Sequence, residues 1–70
     1  MNAPDDFTMR DVRKDAAGRM NCQAPMVDVR MAEWAGSEGN VIAYGCGYRL
    51  TYYLRCLTNH QCTWNLPDPN

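Results

Sequence analysis

The chain has 70 residues, is 46% hydrophobic and 21% charged, and carries a formal net charge of -1. That length allows one domain with a thin core, which in small proteins is usually reinforced by a staple. The near-zero charge removes the basic face that nucleic acid binding requires, and no apolar run approaches the roughly 18 residues that mark a membrane-crossing helix.

Taken in chain order, Met1 to Pro4 is expected as a loose tail. Asp5 or Asp6 is placed to cap a helix, because a carboxylate accepts from the first free N–H groups and favours the positive end of the helix dipole. From Phe7 the apolar positions Met9, Val12, Ala16 and Met20 recur at helical spacing, with Arg10, Asp11, Arg13, Lys14 and Asp15 largely between them. A helix over Asp6 to Met20 follows, with Asn21 suited to the left-handed cap conformation. Such an amphipathic stretch could serve as a membrane or partner helix. Covering a sheet is the ordinary state of a surface helix and is the reading preferred.

Pro25 forbids continuation of the helix and extends the residue before it. Met26 to Trp34 then alternates, with Val27, Val29 and Met31 on one side and Asp28 and Arg30 on the other, which predicts a half-buried strand. Gly36 to Asn40 is expected as a turn, its two glycines supplying positive φ. Val41 to Tyr44 reads as a strand running into Gly45-Cys46-Gly47, where a tight turn or bulge is expected. Tyr48 to Cys56 alternates cleanly. Leu50, Tyr52, Leu54 and Cys56 should face the helix; Arg49, Thr51, Tyr53 and Arg55 should face water. Leu57 to Gln61, with His60, is expected as a loop. Cys62, Trp64 and Leu66 form a short last strand ended by Pro67 and Pro69. Short connections force antiparallel neighbours. The expected fold is α+β: one N-terminal helix on a three- to four-stranded antiparallel sheet, stabilised by disulfides.

Four cysteines allow three pairings. Cys56 and Cys62 flank a five-residue loop between two strands and should lie nearly opposite one another, which leaves Cys22 with Cys46. Closing the Cys22–Cys46 loop is worth about 3 kcal/mol in the chain-entropy model. Disulfides persist in oxidising compartments, so the periplasm, the outer membrane or secretion is expected. The stretch from Met1 to Arg10 has no apolar segment of a signal peptide. The expectation is therefore an exported chain whose leader or lipid anchor has been replaced at Met1. The alternative is a cytosolic protein whose cysteines are free thiols or, with His60, zinc ligands; the long gaps between cysteines and the missing C-x-x-C pair speak against a zinc or redox site.

The chain offers no catalytic constellation. It has one histidine and one serine, Ser37, in a turn. Its carboxylates are scattered, and Gly45 and Gly47 sit between strands and open no helix as a phosphate loop would. No enzyme activity, metal or cofactor is expected. A binding surface is the better functional reading. Arg49, Tyr53 and Arg55 project from the water-facing side of the longest strand, and Tyr and Arg are enriched in binding hot spots. Trp34 beside the glycine turn is the second candidate, against packing at the sheet edge. The partner expected is a protein, with no nucleic acid and no membrane span.

The segments Arg19-Met20-Asn21-Cys22 with Pro25, Val27 to Arg30, Gly45-Cys46-Gly47, Tyr53-Leu54-Arg55-Cys56 and Cys62 occur in this order. In that arrangement the chain resembles small uncharacterised cysteine-containing domains of proteobacterial exported proteins and lipoproteins, over about Asp6 to Trp64. Those domains typically place the tyrosine two residues before the cysteine; here Tyr53 stands three before Cys56. The resemblance implies an envelope location and supplies no activity. Gly47-Tyr48-Arg49-Leu50 is similar to a segment of sushi modules, but Trp64 follows the last cysteine where that family has its tryptophan before it. The expected function is a non-catalytic protein-binding domain of the bacterial envelope, an accessory, adaptor or inhibitor. A structural part of a larger envelope or secretion assembly and a zinc-binding module are the alternatives.

Overall fold

The computed structural model describes residues 4–57 and 62–66. The expectations for the tail, for the loop carrying His60 and for Pro67 and Pro69 fall wholly or largely on residues 1–3, 58–61 and 67–70, outside those described. The order is one helix, α1 (Asp6–Met20), a 3-10 turn (Ala24–Met26), and strands β1 (Asp28–Ala35), β2 (Glu38–Gly45), β3 (Tyr48–Cys56) and β4 (Cys62–Asn65). The four strands pair in sequence order, all antiparallel. The fold is α+β.

Asp5 caps α1: its Oδ1 accepts from the Thr8 N–H at 2.8 Å. Thr8, Val12, Ala16 and Met20, each four residues on from the last, are buried along one stripe with Ala17. Phe7 lies off that stripe, 72% exposed, with the Arg10 guanidinium 5.7 Å from its ring centroid. Asn21 ends the helix at φ 54°, ψ 49°, and the Cys22 N–H closes back on the Ala17 carbonyl at 2.9 Å. This left-handed cap satisfies carbonyls that the last turn would otherwise leave open.

Val12, Ala16, Ala17 and Met20 share one buried cluster with Val27, Val41, Ala43, Tyr52 and Leu54. The helix and the inner sheet face thus supply a single core. Among the described residues a polar contact also joins the two: the Tyr52 hydroxyl donates to Asp15 Oδ2 at 2.6 Å. Trp64 sets its ring edge-on to Tyr52, with centroids 5.5 Å apart.

Two turns differ in length from the glycine content alone. The expected five-residue turn is only Gly36-Ser37, because β2 already begins at Glu38 opposite Ala35. Gly36 at φ +65° as the first central residue gives the II′ geometry whose twist suits a hairpin. Cys46 and Gly47, at φ 48° and 82°, form the other two-residue turn, between Gly45 and Tyr48. Two positive φ values in succession are the I′ pattern.

The first strand departs most from its expectation. Residues 24–26 are a 3-10 turn, so β1 starts at Asp28, although Val27 is still buried. Met31 pairs with Val41 but Glu33 pairs with Asn40, leaving Ala32 as an extra residue. This bulge shifts the alternation by one. Val29 and Met31 lie on the core-side rows, and beyond the bulge Trp34 takes that side while Glu33 faces outward.

Two disulfides are formed, Cys22–Cys46 and Cys56–Cys62. The first ties the helix exit to the tip of the β2–β3 hairpin; the second joins register partners of β3 and β4. Such bonds are consistent with an oxidising, extracytoplasmic compartment. Among the described residues, no helix is long and apolar enough to cross a membrane.

Candidate binding face

The outer sheet face is assembled by register. Strict alternation along β3 turns Arg49, Thr51, Tyr53 and Arg55 outward and keeps Tyr52, Leu54 and Cys56 buried. Two register rows matter most. Glu33, Asn40, Tyr53 and Asn65 form one across all four strands; Ala35, Glu38, Arg55 and Thr63 form the next.

Tyr53 and Arg55 are brought together near one end of the sheet. They border a shared depression of about 230 Å³ with Thr63, Trp64 and Asn65. On the other side of Tyr53 lies a second depression of about 290 Å³, bordered by Glu33, Ala35, Glu38 and Asn40 among others. Arg49 is not part of this group. It pairs with Tyr44 in the row that ends at Asp28, six residues from Arg55 and so about 20 Å along the strand. Tyr44 and Tyr53 are exposed to 40% and 36%.

Trp34 stands on the opposite row from this face. It pairs with Gly39, whose other partner is the buried Leu54, and it packs against the core. Its Nε1–H donates to the Gly36 carbonyl at 3.1 Å. Its contribution to the outer face is at the border of the larger depression.

The electrostatics of the face centre on Glu38. Its carboxylate lies 3.9 Å from Arg55 Nε. It also accepts from the Tyr53 hydroxyl, and that bond, followed by partial burial and the Glu38 charge, pushes the phenol above its ordinary value. At the far end of the sheet Arg30 pairs with Asp28 at 2.6 Å. No hydrogen bond or ion pair holds the Glu33 carboxylate among the described residues.

Glu33, Glu38, Asn40 and Asn65 were not singled out by the sequence. The signal for Glu33 was a change of parity in β1, where apolar positions pass from 29 and 31 to 34. A bulge is the simplest cause of such a change. Glu38 and Asn40 fall within the five residues whose composition suggests a turn, but they belong to β2. No free cysteine exists among the described residues, so none offers a thiolate, and no cluster of three or more His, Cys, Asp or Glu there could hold a metal.

The fold and its face define a disulfide-stapled α+β domain with a four-stranded antiparallel meander and a polar, tyrosine-bearing outer surface. No family model matches the chain, and neither a curated protein nor a solved structure matches it significantly.

Proposed function

We propose that this is a non-catalytic protein-binding domain of the bacterial cell envelope, acting as an accessory, adaptor or inhibitor of another protein. The observation that carries the reading is the outer face of β3. Tyr53 stands there between two depressions, with Arg55 beside it on the border of the smaller, on the sheet surface opposite the core. Tyrosine and arginine offer large contact area and directional hydrogen bonding at modest entropic cost, which is why they dominate binding hot spots. The two disulfides support an exported location.

Cross-linking the oxidised chain in a proteobacterial periplasmic extract tests this. A discrete soluble partner should be captured by the native chain and lost by the Arg49→Ala, Tyr53→Ala, Arg55→Ala triple variant. Capture that survives the triple variant moves the site off this face. Self-association or recovery only in a membrane complex would make the domain a structural part instead.

A further inference from the structure

We infer that the groove centred on Tyr53 takes an extended segment of a partner protein, one carrying a basic side chain on the Glu33–Glu38 side and an acidic side chain on the Arg55 side. This rests on the protein-binding reading above and assigns the chemistry of the partner.

The groove is two depressions with Tyr53 on the border of both. Their borders are opposite in charge. The larger has the carboxylates of Glu33 and Glu38, with the Asn40 amide opposite Glu33 in register; the smaller has the Arg55 guanidinium with Thr63 and Asn65. No cation of the described residues pairs with Glu33. Glu38 and Arg55 are only 3.9 Å apart and exposed. An exposed pair of that kind contributes little by itself, so each partner is available to a docking charge of opposite sign. The exposed Tyr53 ring between them offers a face to an alkyl stem or a guanidinium.

The spacing selects the segment. Glu33 on β1 and Arg55 on β3 lie two strand spacings and one register row apart, roughly 12 Å. An extended chain sets same-face side chains about 7 Å apart, and the length of a lysine or arginine covers the difference. The pattern expected is basic–any–acidic, in a segment crossing the strands. A partner segment of single charge sign meets repulsion at one end, so the bipolar lining also provides specificity.

The test is selection of random seven-residue peptides displayed on phage against the full oxidised chain, with counter-selection on Tyr53→Ala. The expected result is enrichment of Lys or Arg two residues before or after Asp or Glu. A synthetic peptide of that consensus should bind Tyr53→Ala at least tenfold more weakly. Repeating the selection on Glu33→Lys should replace the basic position by an acidic one. Glu33 is exposed and unpaired among the described residues, so this variant should keep the native circular dichroism. Peptides without the charge pattern, or the same peptides on Glu33→Lys, overturn the assignment. Tyr53-dependent binding on a glycan array without a charged-peptide preference also overturns it and gives the groove to a sugar. If these selections fail while the triple-alanine variant still loses its captured partner, the binding reading stands and only the charge assignment falls. If the native chain captures nothing, the binding reading itself falls.

Discussion

Asp15 links the helix to the sheet by accepting from the buried Tyr52 hydroxyl at 2.6 Å, and Arg19, one turn on in the same helix, donates its Nε–H to the same carboxylate at 2.7 Å. Burial alone would raise the Asp15 carboxyl. The hydrogen bonds from Tyr52 and Arg19, with the Arg19 charge, outweigh it and hold the group below the ordinary 3.8. Burial, then the bond to Asp15 and its charge, push the Tyr52 phenol far up in return. A carboxyl with a depressed folded pKa contributes stability that is present above its unfolded value and lost as pH falls through the folded one. Tyr52→Phe should therefore cost about 1–2 kcal/mol at pH 7 and lower Tm by roughly 5–15 °C. The gap between native and variant should narrow well below pH 4, where Asp15 is protonated in both. Thermal melts followed by circular dichroism at neutral and strongly acid pH check this. An equal gap at both would show that Asp15 is not the partner that matters.

The elements differ in how far each is decided by its own residues. For α1 the cap, the four-residue stripe and the Asn21 stop are all local, and the helix has the expected bounds. Strand β3 is likewise defined by strict alternation from Arg49 to Cys56. The β1–β2 hairpin is not local in this sense. Its bulge at Ala32 and the seat of Trp34 depend on the facing strand. A Cβ at Gly39 would run into the Glu33 backbone carbonyl and lie 2.7 Å from Trp34 Cε3 and 2.8 Å from its Cα, so only glycine admits the facing backbone and the indole there. Gly39→Ala should cost about 1–3 kcal/mol by overpacking. Urea denaturation would show it as a lower midpoint with an altered tryptophan emission. A midpoint equal to that of the native chain would mean that β1 at Glu33 and Trp34 does not approach Gly39 this closely.

At the scale of the whole molecule, the two disulfides act on loops of different length. Cys22 and Cys46 are separated by 24 positions, Cys56 and Cys62 by 6. A longer closed loop removes more entropy from the unfolded chain. Replacing both Cys22 and Cys46 by alanine should lower stability by about 3 kcal/mol, and replacing both Cys56 and Cys62 by less. That loss is a large share of the net stability of a small domain. Guanidinium unfolding of the two double variants gives the order, and the reverse order would place the main constraint in the β3–β4 hairpin. The same bonds make the fold sensitive to its compartment, since a reducing environment removes both restraints.

The sequence by itself determined the features written in short range. These are the helix and its caps, the alternation of β3, the antiparallel succession and the proximity of Cys56 to Cys62. Each depends on spacing within one element or across one connection, where 3.6- and 2-residue periods and turn chemistry act directly. Only the tertiary structure decided the composition of the outer face. The bulge exchanges Glu33 and Trp34 between faces, and the two-residue turn at Gly36-Ser37 draws Glu38 and Asn40 into the sheet. The reason is physical: a period of two carries no record of a one-residue slip, and register is set by what the partner strand and the core accept. The groove around Tyr53 exists because four strands place their outward residues in common rows, and no single strand contains it.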